Sequence, residues 1–209
     1  MTHTPNITKL HGSIFFAPNF FSDDELPVVR SAIRECPINP PRGKIAPYEI
    51  MAFSQLGETW FEIFNHFADR LKSCVEYAFG ASVQHRPFPG GTIFRAGDSQ
   101  DQHVDMNFDF DQIEFGKYMI SNDAFPYDYT SLLYLADDFT GGNLVFGDSN
   151  ITIRPSFGNL VMFACWPPGV NRHGVEEVTS GVRICGVTFW PQLKGTGGAQ
   201  DQWIDFVRE

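Results

Sequence analysis

SLLYLADDFTGGNLVFGDSNITIRPSFGNLVMFA, residues 131–164, is the stretch that decides the fold. Four short apolar runs lie in it, at 131–135, 143–146, 151–154 and 159–164. Gly, Asp, Asn, Ser and Pro fill the gaps between them. Short runs rich in Val, Ile, Leu and aromatics, bounded by such residues, are the signature of strands. The rhythm continues outward. Residues 83–86, 92–95 and 101–105 repeat it upstream, and 174–178 and 183–190 repeat it downstream.

The part before residue 83 follows another period. Residues 14–16 predict a short strand. Ser22-Asp23-Asp24-Glu25 is an S-x-x-E capping box with Phe20 and Phe21 just before it. It predicts a helix over 23–35 with Leu26, Val29 and Ile33 on one face. Four prolines make 37–47 a loop. Trp60, Phe64, Phe67, Leu71, Val75 and Ala78 recur at helical spacing and predict a helix over 58–79, ended by Gly80. That stripe is a sheet-packing face rather than a cofactor box. Helices first and many short strands afterwards predict a mainly β fold, a sandwich or jelly roll with helices on one outer face.

The chain has 209 residues, 43% of them hydrophobic, including 21 Phe, enough for one core. A single domain is expected, with a helical part at about 1–82 and a jelly-roll core at about 83–191. The formal net charge of −10, without a basic patch, argues against a nucleic-acid partner. The four cysteines show no CxxC spacing and read as free thiols of a reducing compartment. No apolar run approaches membrane-spanning length, and the N-terminus does not read as a signal peptide. The expectation is a cytoplasmic protein without a membrane partner; its oligomeric state is not legible.

His103-Val104-Asp105 places an imidazole and a carboxylate two positions apart, on one face of a strand. With His173 from a neighbouring strand they make a 2-His-1-carboxylate face, which leaves adjacent metal positions open and is typical of non-heme Fe(II) oxygenases. Arg183 follows His173 by ten residues and is suited to an acidic co-substrate. It shares a strand face with Cys185, Val187 and Phe189. Residues 106–129 lack a clean period and leave directly from the motif. They read as a substrate lid, with an extra hairpin as the alternative. The tail, with Trp203, Ile204, Phe206 and Val207, suggests a short docked helix.

An ordered series of segments resembles the prolyl 4-hydroxylase-like 2-oxoglutarate and Fe(II)-dependent dioxygenases. These are Phe94-Arg95-Ala96-Gly97-Asp98, the His-x-Asp, SLLYL followed by GGNLVF, PSFGNLVMF, then His173-Gly174-Val175 and Gly181-Val182-Arg183. The N-terminal FFSDDE resembles the family's opening as well. The resemblance implies a double-stranded β-helix, a jelly-roll variant. It implies His103, Asp105 and His173 as Fe(II) ligands, and Arg183 and Tyr134 on the distal carboxylate of 2-oxoglutarate. Leu144 and Val175 would line that pocket. Dioxygen would be the second co-substrate, with ascorbate as a possible reductant. The presence of Asp105 disfavours halogenation.

Simpler readings stand beside these: a solvated His-Asp pair, a loop histidine at 173, a structural ion pair for Arg183 and a plain core aromatic at 134. For the substrate, the first reading is a small molecule or free amino acid. The alternatives are a prolyl residue of a peptide or protein, and a catalytically silent jelly-roll binding module. The lid's acidic residues (Asp109, Asp111, Glu114, Asp123, Asp128) would suit a cationic substrate. Arg42, Lys44 or Arg172 would suit an anionic one.

Overall fold

The computed structural model describes residues 4–35, 49–52, 58–84, 90–105, 128–165 and 170–195. In chain order the elements are β1 (Thr8–His11), β2 (Ile14–Ala17), α1 (Glu25–Glu35), β3 (Glu49–Ala52) and α2 (Glu58–Phe79). Then come β4 (Gly90–Arg95), β5 (Gln100–His103), β6 (Tyr129–Tyr134), β7 (Thr140–Gly141), β8 (Leu144–Phe146) and β9 (Ile151–Ile153). The last are β10 (Leu160–Ala164), β11 (His173–Val175), β12 (Val178–Ser180) and β13 (Val182–Trp190). A major sheet runs β1-β2-β10-β6-β13-β4-β3, a minor sheet β5-β11-β8-β9, and β7 pairs with β12. The pairings are antiparallel. No described helix is long and apolar enough to cross a membrane.

Strand alternation sorts the apolar runs between two layers. Leu133, Leu160, Met162 and Ile184 face the helices, where they meet Phe20, Phe21, Val29, Ile33, Phe67, Leu71 and Val75. Their neighbours Leu132, Tyr134, Val161, Phe163 and Cys185 point the other way. There they meet Leu144, Phe146 and Ile153 of the minor sheet. β6 and β10 therefore bury both faces, which is why SLLYL and LVMFA carry so little polar alternation.

The helical layer is pinned at the start of α1. The capping box forms as predicted: the Ser22 amide donates to Glu25 Oε2 at 2.8 Å, and the Glu25 amide approaches Ser22 Oγ at 3.4 Å. The same carboxylate accepts two 2.7 Å bonds from the Arg70 guanidinium on α2. Arg70 also lies over the rings of Phe20 and Phe67.

Several sequence expectations shift. α1 begins at Glu25, because residues 23 and 24 form the turn inside the capping box. The strand drawn through 101–105 stops at His103, and Asp105 lies past it in a bend. The expected run 174–178 is two strands that pair with different partners, β11 with β5 and β8, and β12 with β7. Residue 83 forms only an isolated bridge with Gln192. β1, β3 and β7 were not expected at all. The lid at 106–129 falls outside the described residues except at its last two positions. Residues 37–47, Cys36 and the tail helix fall outside them too. Asp128, counted among the lid's acids, is buried and accepts the Gln192 amide at 2.7 Å, so it holds the end of β13 rather than a cationic substrate.

The Arg70 hydrogen bonds, chiefly, hold the Glu25 carboxyl down at about 2 against an ordinary 4.5. A depressed folded-state pKa contributes stability that is complete above the unfolded value and is lost as pH falls toward the folded one. Glu25→Gln should cost about 1 kcal/mol at neutral pH, the upper end for a partly exposed pair. The gap to wild type should close between pH 4.5 and 2 in denaturant melts. A pH-independent gap would contradict the assignment.

Candidate active site

β5 and β11 pair so that His103 lies directly opposite His173. Gly174 makes that approach possible, since a Cβ there would sit 2.7 Å from the Gln100 carbonyl oxygen. Each ring is steered by its own backbone: His103 Nδ1 is 3.0 Å from the Asp101 carbonyl, and His173 Nδ1 is 2.9 Å from the Asn171 carbonyl. A carbonyl only accepts, so both rings carry a proton on Nδ1, an assignment made from the bonding pattern. The Phe146 and Phe163 rings flank His173, at 5.6 and 4.6 Å between centroids.

Both Nε2 lone pairs then turn to Asp105, whose Oδ1 is 3.4 Å from His103 Nε2 and 3.5 Å from His173 Nε2. One ligand atom from each of the three residues falls within 4.8 Å of the others. The Gln100 amide nitrogen also reaches His103 Nε2, at 3.2 Å. The other Asp105 oxygen, Oδ2, accepts a 2.6 Å bond from Thr130 Oγ1.

The electrostatics separates the three groups. Burial raises the Asp105 carboxyl, but the His103 hydrogen bond, the His173 charge and Thr130 outweigh it and hold the group ionised. Burial opposes the charging of His103, yet hydrogen bonds to Asp105 and to the Asp101 carbonyl raise it overall. His173 is lowered, first by burial, with repulsion from His103 and Arg183 adding to it. One carboxylate cannot compensate two imidazolium ions at once. What converges is two imidazole lone pairs and an anion, a donor set that asks for a divalent cation.

Arg183 sits in the same cavity, on β13 of the major sheet. It is 2% exposed and lies between its cross-strand neighbour Phe94 and Tyr134, with ring centroids 4.9 and 5.0 Å away. One Nη donates to the Tyr134 hydroxyl at 3.2 Å, while Nε has no hydrogen-bond partner among the described residues. No carboxylate pairs with it among the described residues, so the expected alternative of a structural ion pair is absent there. Gly142 admits the side chain: a Cβ there would meet Arg183 Cδ at 3.0 Å. A buried, uncompensated guanidinium is costly, and an anion in the cavity relieves it.

The cavity measures about 280 Å³, and His103, Asp105, His173, Arg183, Leu144 and Val175 all line it. Tyr134 stands behind Arg183 and acts on the cavity through the guanidinium. Leu132, Cys185, Val187 and Phe189 complete the apolar wall. Burial pushes the Cys185 thiol up to about 12, so it stays protonated. Arg172 points away: it is exposed and donates to the Gln102 carbonyl at 3.3 Å. Asn143 bonds Glu176 at the surface. Thr130, Gln100 and Phe94 were not anticipated. Thr130 had a signal, since Thr130, Leu132 and Tyr134 share one strand face.

The sequence profile of the 2OG-Fe(II) oxygenase superfamily matches residues 91–191, which contain His103, Asp105, His173 and Arg183. That match spans just under half of the chain and supports its likeness to the 2-oxoglutarate and Fe(II)-dependent oxygenases. Human prolyl 3-hydroxylase 2 is 40% identical over 68 residues, which are 30% of this chain. The chain spans only 9% of that relative's length. Among solved structures, a Pseudomonas putida prolyl-4-hydroxylase superposes with a TM-score of 0.59 at 18% identity, covering 88% of this chain and 94% of that one. A 2OG-Fe(II) oxygenase family oxidoreductase from Burkholderia pseudomallei gives 0.58 at 16% identity, over 86% and 84%. The fold is accordingly the jelly roll of these oxygenases.

The superfamily's cofactor and co-substrates are Fe(II), 2-oxoglutarate and dioxygen, and the residues here fit them. Two imidazole nitrogens and one carboxylate suit Fe(II), and the backbone acceptors behind both rings are the outer partners a metal-bound histidine requires. Co(II) added to the metal-free protein should bind one equivalent by calorimetry. His173→Ala should weaken binding by at least about 100-fold, since loss of an outer partner alone costs 10–100-fold. Equal affinity in the variant would remove His173 from the site.

Proposed function

We propose that this chain is an Fe(II)- and 2-oxoglutarate-dependent dioxygenase that hydroxylates an unactivated C–H bond. The observation that carries the proposal is one cavity holding both the His103–Asp105–His173 donor set and a buried arginine with no carboxylate partner among the described residues. A catalytically silent jelly roll has no use for either feature, and both are expensive to bury.

Each residue then has one task. His103 Nε2, His173 Nε2 and Asp105 Oδ1 hold the iron. Arg183 grips the distal carboxylate of 2-oxoglutarate through Nε and its Nη groups, a planar fork that fixes orientation as well as charge. The Tyr134 hydroxyl accepts from Arg183 and so steadies the guanidinium that grips that carboxylate. Burial keeps that phenol protonated. Leu144 and Val175 wall the co-substrate and exclude water. When bound, the iron supplies C–H oxidation at the expense of dioxygen and 2-oxoglutarate, with release of succinate and carbon dioxide.

For the substrate, the sequence's first reading is a small molecule or free amino acid. The local similarity to a prolyl 3-hydroxylase supports the second, a prolyl residue in a peptide or protein. Succinate release measured against free amino acids and proline-containing peptides separates them: stimulation by peptides alone rejects the small-molecule reading.

Fe(II) and 2-oxoglutarate together should raise the thermal midpoint of the protein. Arg183→Ala should weaken 2-oxoglutarate binding by about 30-fold or more, the loss expected when a buried charge partner is truncated. It should leave Co(II) binding in place. A wild-type protein that binds no 2-oxoglutarate would overturn the proposal.

A further inference from the structure

Asp105 is the one member of the donor set that no strand holds. β5 ends at His103, so the ladder with β11 fixes the two histidines and not the carboxylate. Its orientation comes from the opposite sheet. Thr130 Oγ1 donates to Asp105 Oδ2 at 2.6 Å, within the range of a strong hydrogen bond to an ionised oxygen. Thr130 is fully buried in β6 and is paired on both sides, opposite Phe163 of β10 and Phe189 of β13.

A third group fixes the direction of the bond. Cys165 Sγ lies 3.0 Å from Thr130 Oγ1. A hydroxyl has one proton, and here the carboxylate takes it. The thiol must then donate to Oγ1, giving an ordered chain S–H···O–H···O⁻ from Cys165 to Asp105. Burial first, with the Asp105 charge adding to it, keeps Cys165 a protonated thiol able to serve as that donor.

From this geometry we infer that Thr130 is a positioning residue that confines Asp105 to one-oxygen coordination of the iron. The inference rests on the proposed function. With Oδ2 committed to Thr130, only Oδ1 faces the imidazoles, and three protein atoms reach the metal. A carboxylate free at both oxygens can chelate a cation and take one of the open positions. A 2-oxo acid needs two such positions and dioxygen another. Thr130 thus protects coordination space rather than metal affinity.

Thr130→Val keeps the shape and removes the donor; Thr130→Ser keeps the donor. The probes are Co(II) and 2-oxoglutarate by calorimetry, with the Co(II) ligand-field spectrum as the report on coordination number. Thr130→Val should bind Co(II) at least as tightly as wild type, with a changed spectrum, and should bind 2-oxoglutarate about tenfold more weakly once Co(II) is loaded. Thr130→Ser should match wild type. A merely structural Thr130 would lower the thermal midpoint and Co(II) affinity but leave 2-oxoglutarate affinity of the loaded protein intact, and that result overturns the inference. Should Thr130→Val fail to fold, Thr130→Ala carries the same measurements. If wild type itself binds neither probe, the functional reading falls and this one with it; if wild type binds both and the Thr130 variants behave alike, only this one falls.

Discussion

β6 has no solvent face. All six of its residues are buried, and that constraint organises the molecule. A strand with two apolar faces must be covered twice. One cover is the pair α1 and α2, joined to each other through Arg70 and Glu25 and packed on Leu133. The other is the minor sheet, packed on Leu132 and Tyr134. The cavity occupies the gap between the sheets where apolar filling gives way to Thr130, Arg183 and the His103–His173 pair. Its polar groups sit at or next to strand ends, and the burial of Thr130, His173 and Arg183 dries that side of the site.

That dryness sets the electrostatics. Inside the sandwich stand one carboxylate, one buried imidazole and one guanidinium, with a second, half-buried imidazole at their edge. The net acidity of the chain, −10 overall, does not reach this place, where Asp105 and Arg183 balance each other and the imidazoles present lone pairs. A doubly charged metal and a dianionic keto acid together neutralise the set better than either alone. Burial makes each imperfect pairing expensive, and so makes the completed set mutually supportive.

Much of this was legible in the sequence because it is written in local patterns. SLLYL, LVMFA and the α2 stripe declare themselves by apolar content and period. The capping box at Ser22 specified its own two hydrogen bonds. His103, Asp105, His173 and Arg183 could be paired by type and order. What stayed hidden depends on register or on an edge. β1 is exposed along its whole length and is a strand only because β2 lies beside it. β7 is two residues long and exists through pairing with β12. The end of β5 at His103 has no local marker. Thr130 meets Asp105 from another sheet, across 25 positions of sequence. Its strand parity was visible, but no local signal tells which residue waits opposite.

The histidines belong to the minor sheet and Arg183 to the major one, with Thr130 and Asp105 the described hydrogen bond that reaches across beside them. On the proposed function, a molecule held by its keto acid at one end and its far carboxylate at the other would be a strut between two walls. Its length gauges their separation. The sandwich is a caliper as well as a container, and a co-substrate one methylene too short or too long would have to be accommodated by sliding one sheet against the other.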